Sequence, residues 1–239
     1  MKKYFFTIAL TLFLFFGLVS CSNEETKTQK QVATRPTVPI LDRTVSDIDG
    51  NIYKIVTIGN QKWTKSNLNV SRYRNGDPIP QVQDPTQWGN LTTGAWCYNN
   101  NSTTNGIVYG KLYNWYAVSD LRGLAPQGYH IPTDAEWIIL TDYLGGGNVA
   151  GGKMKEIGTT HWASPNSAAT NSSAFTGLPG GCRYTDGTFN NDGRWAFWWS
   201  SSEIITTYAY YYALYYTFGI TLRNTYSETG GYSVRCLRD

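Results

Sequence analysis

Three acid–base groups stand within seven positions, His130, Asp134 and Glu136. An imidazole beside two carboxylates is the material of general acid–base catalysis. The spacing gives the same residues another task. Thr133 and Glu136 stand at capping-box distance, Asp134 and Glu136 face the positive end of a helix dipole, and Trp137 opens the buried stripe. A helix start accounts for both carboxylates, and the structural reading is preferred, so no catalytic residue is assigned. Other reactive types are sparse. His130 and His161 are the only histidines, which leaves no multi-histidine zinc site. Gly145-Gly146-Gly147 and Gly151-Gly152 lack the strand–loop–helix frame and the Lys-Ser/Thr ending of a phosphate loop. No Gly-x-Ser-x-Gly supports a serine nucleophile. Asn190-Asn191-Asp192 offers oxygens to calcium, but a polar turn would read the same, and six or more oxygens must converge. Calcium stays open, and no metal ligand is assigned.

What the chain has in quantity is aromatic surface: 18 Tyr, 9 Trp and 9 Phe in 239 residues. Trp and Tyr are large amphipathic plates on which the C–H faces of a sugar ring can stack. At 15% aromatic and 15% charged, with 24 Gly, the sequence is neither a disordered segment nor a coiled coil. The formal charge is only +3, and no basic run exceeds Lys2-Lys3, so a nucleic-acid partner is not expected.

These residues need elements to position them. Ile52–Ile58, between the turn dipeptides Asp49-Gly50 and Gly59-Asn60, predicts an opening β-hairpin or meander. A loop-rich stretch follows, through Asn105. Lys111–Leu121 predicts a first helix, with Leu112, Trp115, Tyr116 and Leu121 available for burial. Thr133 starts a second, on which Trp137, Leu140, Tyr143 and Leu144 recur at helical steps until the triple glycine ends it. A third, short helix is expected over Val149–Ile157. Strands are expected at Cys182–Tyr184, Arg194–Ser200, Tyr208–Thr217 and Gly231–Leu237. In the third of these, Tyr208, Tyr210, Tyr212, Leu214 and Tyr216 face one side, and Ala209, Tyr211, Ala213 and Tyr215 the other. The fold class is α+β, in one domain over residues 44–239.

The chain ahead of that domain reads as an address. Lys2-Lys3 precedes a 16-residue apolar stretch, Tyr4–Val19, short for a spanning helix and suited to a signal peptide over residues 1–20. Leu18-Val19-Ser20-Cys21 resembles the bacterial lipobox, which implies cleavage before Cys21 and its lipidation. Loss of Lys2 and Lys3 leaves a formal charge of +1, so acyl chains, not electrostatics, would hold the protein to a membrane. Residues 21–43 are polar, with two prolines, and read as a tether. Glu24-Glu25 resembles the acidic signal that sends lipoproteins of the Bacteroidota to the cell surface. The implied location is the outer membrane, facing the exterior.

Four ordered blocks carry a further resemblance. They are Tyr109-Gly110-Lys111-Leu112-Tyr113-Asn114-Trp115-Tyr116-Ala117 and Gly128-Tyr129-His130-Ile131-Pro132-Thr133-Asp134-Ala135-Glu136-Trp137. Next come Leu178-Pro179-Gly180-Gly181-Cys182-Arg183 with Trp198-Trp199-Ser200-Ser201-Ser202, and last Ser233-Val234-Arg235-Cys236. Together they resemble the Fibrobacter succinogenes major paralogous domain over roughly Val45–Asp239. That family has no established activity. More distantly, His130–Trp137, Gly180-Gly181 and Tyr232–Cys236 are similar to blocks of the formylglycine-generating enzymes. This likeness implies a C-type lectin-like core: irregular β-structure, two to three short helices, and termini brought together. In those enzymes two cysteines close to the Gly-Gly motif bind copper. Here the cysteine after Cys182 is Cys236, so the pair is missing and the activity is not transferred. The sugar-binding strings of calcium-dependent lectins, Glu-Pro-Asn, Gln-Pro-Asp and Trp-Asn-Asp, are absent. Once Cys21 is lipidated, Cys97, Cys182 and Cys236 leave two arrangements open: one disulfide with one thiol, or three buried thiols.

In lectin-like domains the loop region between the Cys182 and Trp199 segments carries ligands. By that analogy the candidate ligand-binding residues are Tyr184, Asp186, Asn190, Asp192, Arg194 and Trp195. The expected function is a non-catalytic, lipid-anchored module that binds a glycan or another envelope molecule. An oxidoreductase with altered metal ligands and a structural or adhesive envelope protein are the alternatives.

Overall fold

A computed structural model describes residues 43–239. The expected leader, Cys21 and all but the last residue of the tether lie outside the described residues. Every buried core residue falls between Tyr53 and Leu237, so the compact unit Ile40–Asp239 closes its own core.

The meander forms as expected: β1 (Thr44–Ser46), β2 (Ile52–Ile58) and β3 (Gln61–Thr64) pair antiparallel. Its first turn is built by Asp47, whose carboxylate accepts from the backbone N–H of Asp49 and Asn51. The loop-rich stretch holds two short helices that the sequence reading leaves out. Asp84 caps α1 (Pro85–Gly89), which has Pro in its first turn, and after β4 (Trp96–Cys97) Ser102 caps α2 (Thr103–Tyr109).

The helix expected over Lys111–Leu121 is corrected. Its first part is a strand, β5 (Leu112–Tyr113), paired with β4, while Tyr113 exchanges both backbone hydrogen bonds with Tyr232. Only α3 (Trp115–Val118) is helical, capped by the Asn114 side chain. Leu112 and Trp115 are buried, whereas Leu121 is fully exposed in the following turn. Distant pairing partners, invisible in a helical pattern, decide this segment.

After β6 (Tyr129–His130) comes α4 (Asp134–Tyr143), with both halves of the capping box in place. Trp137, Leu140 and Leu144 are buried as expected, but Tyr143 is 65% exposed and lies over Gly59. The next helix, α5 (Gly147–Met154), starts earlier and ends sooner than expected, and Ile157 is exposed. Gly151 and Gly152 explain themselves by close approach. A Cβ on Gly151 would meet the Ile220 carbonyl oxygen at 2.1 Å, and one on Gly152 the Ala168 carbonyl oxygen at 2.4 Å.

The last third is a sheet of five strands: β7 (Gly180–Arg183), β8 (Phe189–Asp192), β9 (Trp195–Ile205), β10 (Tyr208–Tyr215) and β11 (Thr221–Ser227), in the order β11-β10-β9-β7-β8. The strand β11 is absent from the sequence reading. The final β12 (Leu237–Arg238) instead joins the first sheet, between β3 and β6. The architecture is α+β, mostly sheet with a few short helices.

Both faces of β9 and β10 are used. On one, Ala196, Trp198, Tyr212 and Leu214 pack with Trp137, Leu140, Ala150 and Met154 of α4 and α5, and with Trp63. On the other, Phe197, Trp199, Ala209 and Ala213 join Tyr232 and the segments around Tyr113.

Candidate functional site

The second of these faces is only half covered. Over β9, the segment carrying Tyr113 and Tyr232 lies across the sheet, and the Trp199 indole N–H donates to the Tyr113 carbonyl at 2.9 Å. Over β10 and β11 the cover is incomplete: Tyr232 reaches Tyr211 and Tyr226, which stay half-buried. A groove of about 460 Å³ opens there, walled by Tyr184, Trp195, Phe197, Tyr211, Leu222 and Tyr226, with Tyr232 and Asn224 among its remaining contacts.

Strand register builds it. Tyr211 stands opposite Trp199 on β9 and Asn224 on β11, and Ala213 stands between Phe197 and Leu222. Ala209 and Ala213 are the small members of a tyrosine-rich strand, and both are buried beside larger cross-strand partners, Tyr226 for one and Phe197 and Leu222 for the other. Tyr232 is the hub. Its ring stacks on Phe197 at 5.0 Å and 13°, and meets Trp199 at 4.4 Å, Tyr211 at 5.0 Å and Tyr226 at 5.6 Å. Trp195 extends the wall, against Tyr215 at 4.1 Å and nearly parallel to Phe197. Trp195, Tyr184, Tyr211, Leu222 and Tyr226 are each half-buried: seated on the core, with one side to solvent.

The groove is electrically quiet. Burial holds the Tyr211 and Tyr226 phenols above their ordinary value, so they are neutral at pH 7. Arg223 borders the groove, but its guanidinium is committed elsewhere: it donates to both Asp134 oxygens at 2.7 Å and lies over the Tyr210 ring. The surface left for a ligand is aromatic, with phenol and amide groups to accept or donate hydrogen bonds.

Two of the six residues expected to bind ligand, Tyr184 and Trp195, meet in this groove. Asp186 does not line it; its carboxylate accepts from Thr188 N–H and Oγ–H, which closes the β7–β8 turn. Asn190 is exposed on β8, and its carbonyl accepts from the Cys182 thiol. Arg194 is exposed ahead of β9, and its carbonyl accepts from Tyr216 N–H. The Asp192 side chain lies outside the described residues; its backbone pairs with Gly180. Tyr211, Leu222, Asn224, Tyr226 and Tyr232 are missed by the sequence reading. The odd-numbered face of Tyr208–Thr217 held the signal for Tyr211. Alternation in Leu222-Arg223-Asn224-Thr225-Tyr226 held it for Leu222, Asn224 and Tyr226, and no local pattern marks Tyr232.

The acid–base cluster is occupied by structure. Glu136 accepts from Thr133 N–H and Oγ–H through one oxygen, and its other oxygen lies 2.9 Å from His130 Nε2. His130 Nδ1 lies 2.7 Å from an Asp239 carboxylate oxygen. With both ring nitrogens engaged, the imidazole serves to fasten β6 to α4 and β12.

Cys97, Cys182 and Cys236 are three buried thiols, outside any disulfide. Burial pushes the Cys97 thiol up to about 12 and Cys236 higher still, far from the thiolate that redox or nucleophilic chemistry needs. Among the described residues no three His, Cys, Asp or Glu side chains gather where they could hold a metal ion, and no helix is long and apolar enough to cross a membrane.

The Fibrobacter succinogenes major domain family matches residues 56–238, and the chain belongs to that family. No curated protein and no solved structure matches it.

Proposed function

We propose that this member of the Fibrobacter succinogenes major domain family is a non-catalytic binding module for a glycan of the cell envelope or its surroundings, and that the aromatic groove is its site. The observation that carries the reading is the half-buried set Tyr184, Trp195, Tyr211 and Tyr226 around the Tyr232 hub. Rings fixed by packing present a stacking surface at little entropic cost, and Asn224 with the phenols supplies hydrogen bonds for orientation. A C-type lectin-like core is part of the proposal. It is supported by the pairing of β12 with β3, which joins the two ends of the domain, and by the irregular sheets around two main helices.

The lipobox at Cys21 supports attachment by acyl chains, and Glu24-Glu25 supports display on the outer face of the outer membrane. Labelling with palmitate, abolished by Cys21→Ser, tests the anchor.

Residues 22–239 on a glycan and polysaccharide array, with calcium and then with chelator, test the function. Binding that survives in folded wild-type protein and vanishes in Trp195→Ala and Tyr211→Ala is expected. No glycan bound at millimolar concentration sinks the reading, and crosslinking on cells would then seek a protein partner.

A further inference from the structure

A second cavity, of about 340 Å³, shares no lining residue with the groove and falls within the range of small-molecule sites. It lies where β2, the chain after β3, α2 and the segment ahead of β7 come together. Lys54, Lys65 and Arg235 line it, and no carboxylate does.

Arg235 is buried, at 1% exposure, and makes no ion pair with any described residue. Its Nε donates to Asn67 Oδ1 at 2.7 Å, Nη1 to the carbonyls of Thr64 and Phe175, and Nη2 to that of Thr176 at 3.1 Å. A guanidinium has five N–H groups, so four are used and one remains on Nη2. The Nη2 acceptor, Thr176, is itself in the cavity wall. Asn67 holds the guanidinium in place: its Oδ1 also accepts from the Trp198 indole, and its amide donates to the Tyr109 carbonyl and Ser233 Oγ.

Arg183 and Lys155 make a useful contrast. Both are buried and held by three backbone carbonyls each, and neither lines any of the cavities described here. Arg235 alone of the three opens on a cavity, and it does so beside two more cations. Lys65 N–H donates to the Lys54 carbonyl at 2.7 Å, so the lysines are neighbours, and neither meets a carboxylate among the described residues. Three cationic side chains therefore line one space that has no carboxylate in its wall, a lining of one sign that favours an anion. Ile52, Val108 and Leu178 form the apolar part of the wall, and Ser66, Asn67 and Thr176 complete it.

We propose that this cavity binds an organic carboxylate, its anionic head on Arg235 Nη2 and the two lysines and its apolar body on Ile52, Val108 and Leu178. The test is calorimetric titration of residues 22–239 with octanoate, neutral octanamide and sulfate. Octanoate should bind at least about tenfold more tightly than either, the size of one lost charge-assisted contact or of the lost apolar burial. The double variant Lys54→Ala/Lys65→Ala, at sites that are not part of the core, should stay folded and lose octanoate by a similar factor. Leu178→Trp should block the cavity. Saturable octanoate binding that octanamide or sulfate equals, or that survives the lysine variant, overturns the proposal, as does no binding at millimolar ligand. Trp195→Ala should leave octanoate binding unchanged, which separates this site from the groove.

Discussion

The strands β9 and β10 carry aromatic rings on both faces, and the two faces end differently. Trp198 and Tyr212 lie under α4 and α5, where Trp137 stacks on Tyr212 at 4.9 Å and Phe175 meets Trp198 edge-on at 5.5 Å. Trp195 and Tyr211, on the opposite face of the same strands, keep one side in solvent. Residue type does not separate them, since both faces are Trp and Tyr. Cover does: the capped helix roofs one face, and the chain around Tyr232 stops halfway across the other. A ring roofed on all sides contributes stability, whereas a ring seated on a core and open above can contribute binding.

The sharpest way to break this contrast is a pair of truncations. Trp198→Ala should cost about 3–5 kcal/mol, the range for emptying a large aromatic site in a closed core. Trp195→Ala should cost about 1–2 kcal/mol, because solvent already meets one side of the ring, and should remove glycan binding from a folded protein. Denaturant midpoints measure both. Equal losses would mean that the groove face is core after all.

The roof itself can be lifted next. Gly151 lets α5 lie against the Ile220 backbone, and a methyl group there cannot be relieved by rotating a side chain. Gly151→Ala should therefore cost about 1–3 kcal/mol, despite alanine's better helix propensity, as overpacking does. Thermal unfolding would show it. A neutral or stabilising result would mean that α5 is loosely seated and that the two faces differ less than the packing implies.

How much of this was legible in the sequence follows the range of the interactions. The capping box at Thr133–Glu136 was readable because all its partners lie within four residues. The meander was readable because Asp49-Gly50 and Gly59-Asn60 force its turns. Lys111–Leu121 was not, because Tyr113 takes its backbone partner from Tyr232, over a hundred positions away. The candidate site was half legible for the same reason. Tyr184 and Trp195 flank a turn that the sequence displays, but the groove also needs β11, whose Leu222, Asn224 and Tyr226 show no run of apolar residues. Nor does a sequence say which face of Tyr208–Thr217 gains a roof. Buried cations were unexpected altogether, because the carbonyl oxygens that hold Arg183, Arg235 and Lys155 come mostly from loops and otherwise from strand ends, with no signature in the sequence.

Smaller in size is a dependence on pH that draws on both faces. Burial pulls the Lys155 ammonium beneath Tyr215 and Phe218 down to about 8, and Lys111, over the Trp96 ring, likewise to about 8. Between there and the ordinary lysine value of 10.5 the unfolded chain binds more protons than the folded one, so stability rises with pH. Burial also pushes the phenols of Tyr53, Tyr113 and Tyr232 above 10, where the unfolded chain loses protons that the folded one keeps, and stability falls. A maximum between about pH 8 and 10 is expected in urea titrations. Lys155→Met should flatten the rising limb; an unchanged limb would mean that the carbonyl cage already replaces the water Lys155 gave up.

The smallest expected effect lies on the seam between the faces. Arg223 sits on β11 between Leu222 and Asn224, which face the groove, while its own side chain turns to the roofed side. There it meets Asp134, the first residue of α4, through two parallel bonds. The side chain is 43% exposed, so the pair is screened by water and salt, and Arg223→Gln should cost only about 0.5–1 kcal/mol. Raising the salt concentration should shrink that difference further, because an exposed pair loses its attraction within a Debye length. Glycan affinity should not move, because the guanidinium is spent on Asp134. If instead the variant keeps its stability and loses the glycan, Arg223 must leave Asp134 to meet the ligand. Recognition would then reach across the seam, and the roofed face, through the first turn of α4, would have a part in binding.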